Sequence, residues 1–392
     1  MLKNTLIAST DAIADEAQIF EGNGWRITFL SSRLIRFETE KFNDEASTSV
    51  WFRRFESGNI SVSQKRNIVT AETDDVIFTI KNLVPYSVFF KDTKTTEIFS
   101  KQKNLKGTRR TLDMQFGRAK LNDGFITLGG AYLFDDSESL LLDESGHFKK
   151  RSAVGKDYYL FGYGKNYRDT INAFYKISSP VPLVPRYALG VWWSRYHAYT
   201  QKEYLDLMLR FKKEGIPLTV ATVDMDWHWV KIKEDFGLNY NGWTGYSWNT
   251  KLFPDYKEFL KQLHDMNLKV TLNLHPADGV REYDDMYEEM AKAVGTDPKT
   301  KNPIEFNCGS DIFWNAYFDI LHKPYEKNGV DFWWIDWQQG LKSDVDGLDP
   351  LIALNHYHFL DIAENNELPL ILSRYSGAGS HRYPLGFSGD TG

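Results

Sequence analysis

Acidic, imidazole and guanidinium side chains recur at the ends of apolar runs in the second half of this chain: Asp224, Asp226 and His228, then His275 and Asp278, then Asp336, Arg374 and Asp390. Cleaving a glycosidic bond needs two carboxyl groups, and a pair roughly 5–5.5 Å apart lets one attack the anomeric carbon while the other gives and then takes a proton. Asp336 and Asp390 form the natural pair. The first should be ionised and held by donors. The second needs a pKa raised by burial or by a neighbouring negative charge.

The elements that must carry these groups can be read from the spacing of apolar residues. Residues 329–340, GVDFWWIDWQQG, form an aromatic run suited to a strand buried on both faces, and Asp336 falls at its C-terminal end. In a β/α barrel that end is the catalytic face. Capping of a following helix is the plainer reading of the same aspartate. From about residue 181 onward strand-like and helix-like stretches alternate. The strand-like ones are ALGVWWS, LTVATVDM, KVTLNLHP, VDFWWID, LPLILSR and LGFSGD. Between them, Thr200 and Glu203 announce a capped helix, Pro254 is expected in the first turn of another, and DIFWNAYFDILHKPY reads as a third. Alternation of this kind predicts a parallel sheet. The expected class is α/β plus β, with a (β/α)8-type barrel over 181–392 that is incomplete, showing about six of eight strands and apparently truncated within the catalytic barrel. Neither a glycine-rich dinucleotide loop nor a phosphate loop follows any strand, so no cofactor is implied.

Residues 1–180 read differently. Short β-type runs such as WRITFLSSRLIRFE, VIFTI and YSVFF predict an antiparallel β-sandwich, and YYLFGYGKNYRDTINAFY at 158–175 reads as a change to helical period. Pro180, Pro182 and Pro185 resist both helix and central strand and place the domain boundary near 180.

The 392 residues suit about two domains. The 53 acidic and 47 basic side chains are mixed, giving −6 without a basic stripe, so nucleic acid is not the expected partner. No apolar stretch approaches the ~18 residues that would span a bilayer. A single cysteine, Cys308, and a polar start favour the cytoplasm. Aromatic residues make 15% of the chain, which hints weakly at stacking on sugar faces. Trp243, Tyr246 and Trp248 stand equally between lining a cleft and pinning a loop.

Six phrases in order, PRYALGVWWSRY, VDMDWH, GWTGYSW, LKVTLNLHPADG, DFWWIDWQQG and SRYSGAGSHRYPLGFSGDTG, resemble glycoside hydrolase family 31, α-glucosidase-like retaining α-glycosidases. The resemblance implies hydrolysis of terminal α-linked sugars, with α-glucose the default, and an oligosaccharide or α-glycoside as partner. It implies Asp336 as nucleophile and Asp390, of the Gly-Asp pair, as general acid/base. Arg374, sixteen residues before Asp390, and Asp224 would hold the terminal sugar. Trp334, Phe387, Asp226, His275 and Trp337 are expected to contact substrate. Two departures bear on which sugar fits: Trp337-Gln338-Gln339 after the nucleophile, and Phe387 where the family more often has Trp.

Two other readings stand beside this one. A barrel metallohydrolase could use Asp224, His228 and His275, since Asp224, Asp226 and His228 alternate on one strand-like segment and His275 ends the next, and histidine and carboxylate are metal-ligand types. A catalytically incompetent sugar-binding fragment would keep the aromatic cleft without turnover.

Overall fold

The computed structural model describes residues 1–152, 155–336 and 343–391. The chain divides into two compact units. One comprises Ser9–Val181, Gly377–Arg382 and Asp390–Gly392; the other comprises Met1–Ala8, Pro182–Ser376 and Tyr383–Gly389.

The first unit is built on antiparallel sheets. One runs, in spatial order, Ile19–Gly22, Trp25–Ser31, Leu34–Thr39, Asp157–Gly162 and Ala131–Asp135; a second is a meander from Ser61–Lys65 to Thr95–Ile98, and a small third pairs Phe148–Lys149, Leu141–Leu142 and Ala46–Ser47. Alternation along the strands places Ile27, Phe29 and Phe37 of the first against Val69, Phe78, Ile80 and Val88 of the second in one core. The opposite face of the first sheet is charged and still buried. There Arg36 grips Asp157 with Nε to Oδ1 at 2.8 Å and Nη2 to Oδ2 at 2.7 Å. Residues 158–162 correct the sequence reading. They continue a strand paired with Leu34–Thr39, and the helix begins only at Tyr167. A fully buried run such as Tyr159-Leu160-Phe161 carries no face alternation by which strand and helix could be told apart.

The second unit is organised on four parallel strands in consecutive order, Val191–Trp193, Leu218–Val223, Lys269–Leu274 and Phe332–Ile335. Two further parallel contacts continue it, Trp334 with Leu372 and Ser373 with Gly386. The intervening helices carry the expected signals. Gln201–Lys213 opens on a capping box made by Thr200 and Glu203. Tyr256–Asp265 is capped by the Asp255 side chain on the Glu258 N–H, so Pro254 precedes the cap instead of lying in the first turn. Phe259, Leu260 and Leu263 bury this helix against the sheet, each contributing roughly 1.5–3 kcal/mol. The stretch 311–327 is one helical rod with a π turn at Tyr317–His322. Pro324 cannot donate to the carbonyl four residues back. The widened turn precedes it, and the His322 ring meets the Tyr317 carbonyl at 2.8 Å.

The inner face of the parallel sheet is identified by Phe332. Its ring meets Trp192 at 5.4 Å and Tyr187 at 6.0 Å, and it packs with Val220 and Leu370. Trp193, one residue on, turns the other way and meets Phe211 of the helix Gln201–Lys213.

Candidate active site

With a period of two, the inner positions climb each strand to the same end: Val220, Thr222, Asp224; Thr271, Asn273, His275; Phe332, Trp334, Asp336. The registers Thr222 with Thr271 and Asn273 with Trp334 put these ladders level. The topmost members Asp224, His275 and Asp336 therefore form a rim. Asp336 is fixed there by its own N–H, which donates to the Leu274 carbonyl at 2.9 Å.

Arg374 closes the rim from the next segment. Its Nε donates to Asp336 Oδ1 at 2.7 Å, and a second nitrogen reaches the same oxygen. His275 Nε2 lies 3.5 Å from Oδ2. Burial alone would push the Asp336 carboxyl up; His275 and the Arg374 charge outweigh it and hold the group below the ordinary carboxylate range. Asp336 is therefore ionised at neutral pH. Phe387 supports the clamp, its ring face 4.5 Å beneath the Arg374 guanidinium and 5.5 Å, edge to face, from Trp334.

Asp224 presents the opposite electrostatics. Burial dominates, and the charges of Asp336 and Asp226 add to it, so its carboxyl is pushed up to about 6 although the Met225 N–H donates to it at 2.7 Å. Asp226, in the turn Met225–Trp227, is also raised, chiefly by burial. The rim thus carries one carboxylate held ionised and one that titrates near neutrality.

Of the residues read from the sequence, Asp336, Arg374, His275, Trp334, Phe387 and Asp224 come together on this unit. Asp390 is grouped with the first unit, exposed, its N–H donating to Asp113 Oδ1 at 2.7 Å and its carbonyl accepting from Met114. Trp337 lies outside the described residues. His228 does not join the rim. Its ring is buried, Nδ1 meets the Trp229 carbonyl at 3.0 Å, and burial lowers it to about 4. Gly245 lies so close to that ring that a Cβ there would stand 2.4 Å from Nδ1. Among the described residues no group of three or more His, Cys, Asp or Glu side chains could hold a metal ion. Cys308 is buried, with its thiol raised by that burial.

Asn355 is a supporting residue that the sequence reading passed over. Within the helix Pro350–Ala363 it is fully buried, donates from Nδ2 to the Arg374 carbonyl at 3.2 Å, and accepts from Ser373 Oγ at 2.5 Å. A lone amide in the apolar run LIALNHYHFL was the available signal.

Parallel strands alternating with helices, with carboxylate, imidazole and guanidinium groups gathered at one end of the sheet, are the arrangement of a β/α enzyme site. Residues 181–392 match the glycosyl hydrolases family 31 TIM-barrel domain. The chain belongs to glycosyl hydrolase family 31. It is 26% identical over 261 residues to an alpha-xylosidase of Saccharolobus solfataricus, covering 60% of this chain and 33% of that protein. It is 22% identical over 318 residues to an uncharacterized family 31 glucosidase of Pseudescherichia vulneris, covering 73% of this chain and 57% of the other. A GH31 dextranase structure from Flavobacterium johnsoniae with isomaltotriose shares the fold at a TM-score of 0.66 and 15% identity, over 94% of this chain and 54% of that one. The chain therefore spans from a third to a little over half the length of these relatives.

Proposed function

We propose that this protein is a retaining α-glycoside hydrolase acting on terminal α-linked sugars, with α-glucosides the first candidates, working by double displacement. The observation that carries the reading is an ionised Asp336 at a strand end, gripped on one oxygen by Arg374 and faced by His275. The Asp336 carboxylate attacks the anomeric carbon as the bond to the leaving oxygen breaks, and Asp390 passes its proton to that oxygen. Water then attacks the glycosyl ester, gives its proton to Asp390 and frees Asp336. Asp224 accepts hydrogen bonds from the hydroxyls of the terminal sugar, while Arg374 keeps the nucleophile oriented and anionic between turnovers. Trp334 and Phe387 form the apolar wall behind that sugar, and Asp226, His275 and Trp337 complete the contact set. Relatives named for xylose, glucose and dextran support a neutral α-linked hexose or pentose as the sugar.

Incubation with 5-fluoro α-glycosyl fluorides of glucose, xylose and galactose, followed by peptide mapping, tests this reading. The expected product is a sugar ester on Asp336, formed fastest with the glucosyl reagent. Azide then separates the roles. Asp390→Ala should be rescued to give the α-glycosyl azide, and Asp336→Gly the β-anomer. A label on another residue would overturn the assignment.

A further inference from the structure

Three large aromatics in the segment 243–248 have different fates. Tyr246 and Trp248 are 2% and 1% exposed, whereas Trp243 is 48% exposed. Trp248 stacks on Tyr256 at 4.9 Å and meets Trp227 at 5.3 Å, so it belongs to the core. The Trp243 ring instead stands 5.1 Å from His275, the residue that faces Asp336.

The exposure of Trp243 comes from a fixed backbone, not from a loose loop. Its N–H donates to Asn241 Oδ1 at 2.9 Å. Thr244 Oγ1 donates to the His275 carbonyl and accepts from the Asp278 N–H at 3.0 Å, and Tyr283 donates to the Thr244 carbonyl at 3.0 Å. Gly242 has φ +70°, and a Cβ there would fall 1.9 Å from the Val230 carbonyl oxygen. Such an approach admits only glycine. The Tyr246 N–H is held by the buried Asp284 at 2.9 Å. An indole held rigidly half out of the surface, beside the rim, loses little conformational entropy when something flat and apolar settles on it. Tyr196, 65% exposed after the strand Val191–Trp193, offers a second ring near the charges of Asp226 and Asp224.

We propose that Trp243 is the platform on which the second sugar of an oligosaccharide stacks, next to the ring that Asp336 attacks, so that the preferred substrate is an oligosaccharide and not a glycoside with a small aglycone. This rests on the glycosidase reading above. The flat C–H face of a pyranose fits an indole face, and the sugar hydroxyls stay in water. Loss of such a contact corresponds to about a tenfold change in affinity.

The test compares the wild type with Trp243→Ala and Trp243→Phe on two substrates, a glycosyl fluoride, which has no second sugar, and a trisaccharide of the same sugar. In Trp243→Ala, kcat/KM for the trisaccharide should fall about tenfold further than for the fluoride, and Trp243→Phe should recover most of the difference. An equal loss on both substrates would assign Trp243 to holding His275 and would overturn the platform. If the wild type turns over neither substrate, the glycosidase reading has failed separately. Calorimetric titration of the same three proteins with the trisaccharide then decides the platform alone: weaker binding in Trp243→Ala supports it, and equal binding or none overturns it.

Discussion

Arg374 places two nitrogens on one oxygen of Asp336, Nε on Oδ1 at 2.7 Å with a second N–H beside it, while among the described residues Oδ2 is faced by His275 at 3.5 Å. The two carboxylate oxygens are therefore unequal. The doubly held Oδ1 fixes the orientation of the group, and in the proposed mechanism Oδ2 is the oxygen that bonds to carbon.

Replacing Arg374 with Lys removes the fork and leaves a point charge that cannot supply two N–H groups to Oδ1. Asp336 now sits below its ordinary value, so its reactive anion persists well into acid. In Arg374→Lys the burial contribution weighs more, the pKa rises, and the acid limb of the activity profile moves to higher pH. The loss of charge-assisted bonds should lower kcat/KM by about 10–100-fold at neutral pH. The pH dependence of covalent trapping at Asp336 measures the shift, and an unmoved acid limb would contradict this account.

Phe387 acts on the same clamp from below. Its ring lies 4.5 Å from the Arg374 guanidinium, a contact of about 0.5–2 kcal/mol when partly desolvated. Phe387→Leu keeps apolar volume but removes the π face, so kcat should fall about 3–30-fold with thermal stability nearly unchanged. Phe387→Trp should restore activity. A Leu variant as active as the wild type would show that Arg374 is held well enough by Asn355 and Asp336.

Much of this architecture was legible in the sequence because the deciding signals are local. The run Phe332–Ile335 followed by Asp336 announces a buried strand that ends in a carboxylate, and Thr200 with Glu203 announces a capped helix. Other features depend on partners far along the chain. Trp243, Tyr246 and Trp248 are alike as residues, and only Tyr256 and Trp227 on other elements make Trp248 a core residue. The pairing of 158–162 with Leu34–Thr39 and the contact of Asp390 with Asp113 are equally remote in sequence. The two parallel segments after Phe332–Ile335 reduce, among the described residues, to single bridges at Leu372 and Gly386, too short for a pattern of period two to define their edges.

The antiparallel unit has its own sensitive point at Arg36 and Asp157, whose side chains are 1% and 5% exposed. Burial opposes the Asp157 charge, but Arg36 and then Arg151 overcome it and hold the carboxyl far below its ordinary value. A depressed folded pKa means stability that is present above the unfolded value near 4 and is lost as pH falls toward the folded one. Asp157→Asn leaves Arg36 buried with less compensation and should cost about 3–5 kcal/mol at neutral pH. It should also flatten the acid side of the stability curve, since the depressed carboxyl that supplied the slope is gone and Asp136 loses the neighbouring charge that helps raise it. Urea titrations of both proteins between pH 3 and 7 would read the difference, and parallel curves would contradict it.

Under the proposed mechanism Asp224 sets function against stability. Its folded pKa, pushed up to about 6 mainly by burial, exceeds the unfolded value near 3.9. The protonated form is therefore favoured on folding, and as pH rises from about 4 through 6 this residue progressively destabilises the fold. Asp224→Asn removes that cost and should raise stability at pH 7 by about 1–2 kcal/mol, discounted from the full shift because the group is partly open to solvent. At pH 4 the gain should vanish. The same change removes an acceptor of sugar hydroxyl bonds and should lower kcat/KM by about 10–100-fold. Thermal melts at pH 4 and 7, with kinetics at pH 7, measure both effects. A variant no more stable than the wild type at pH 7 would mean that Asp224 is better solvated or better paired than its place on the rim implies.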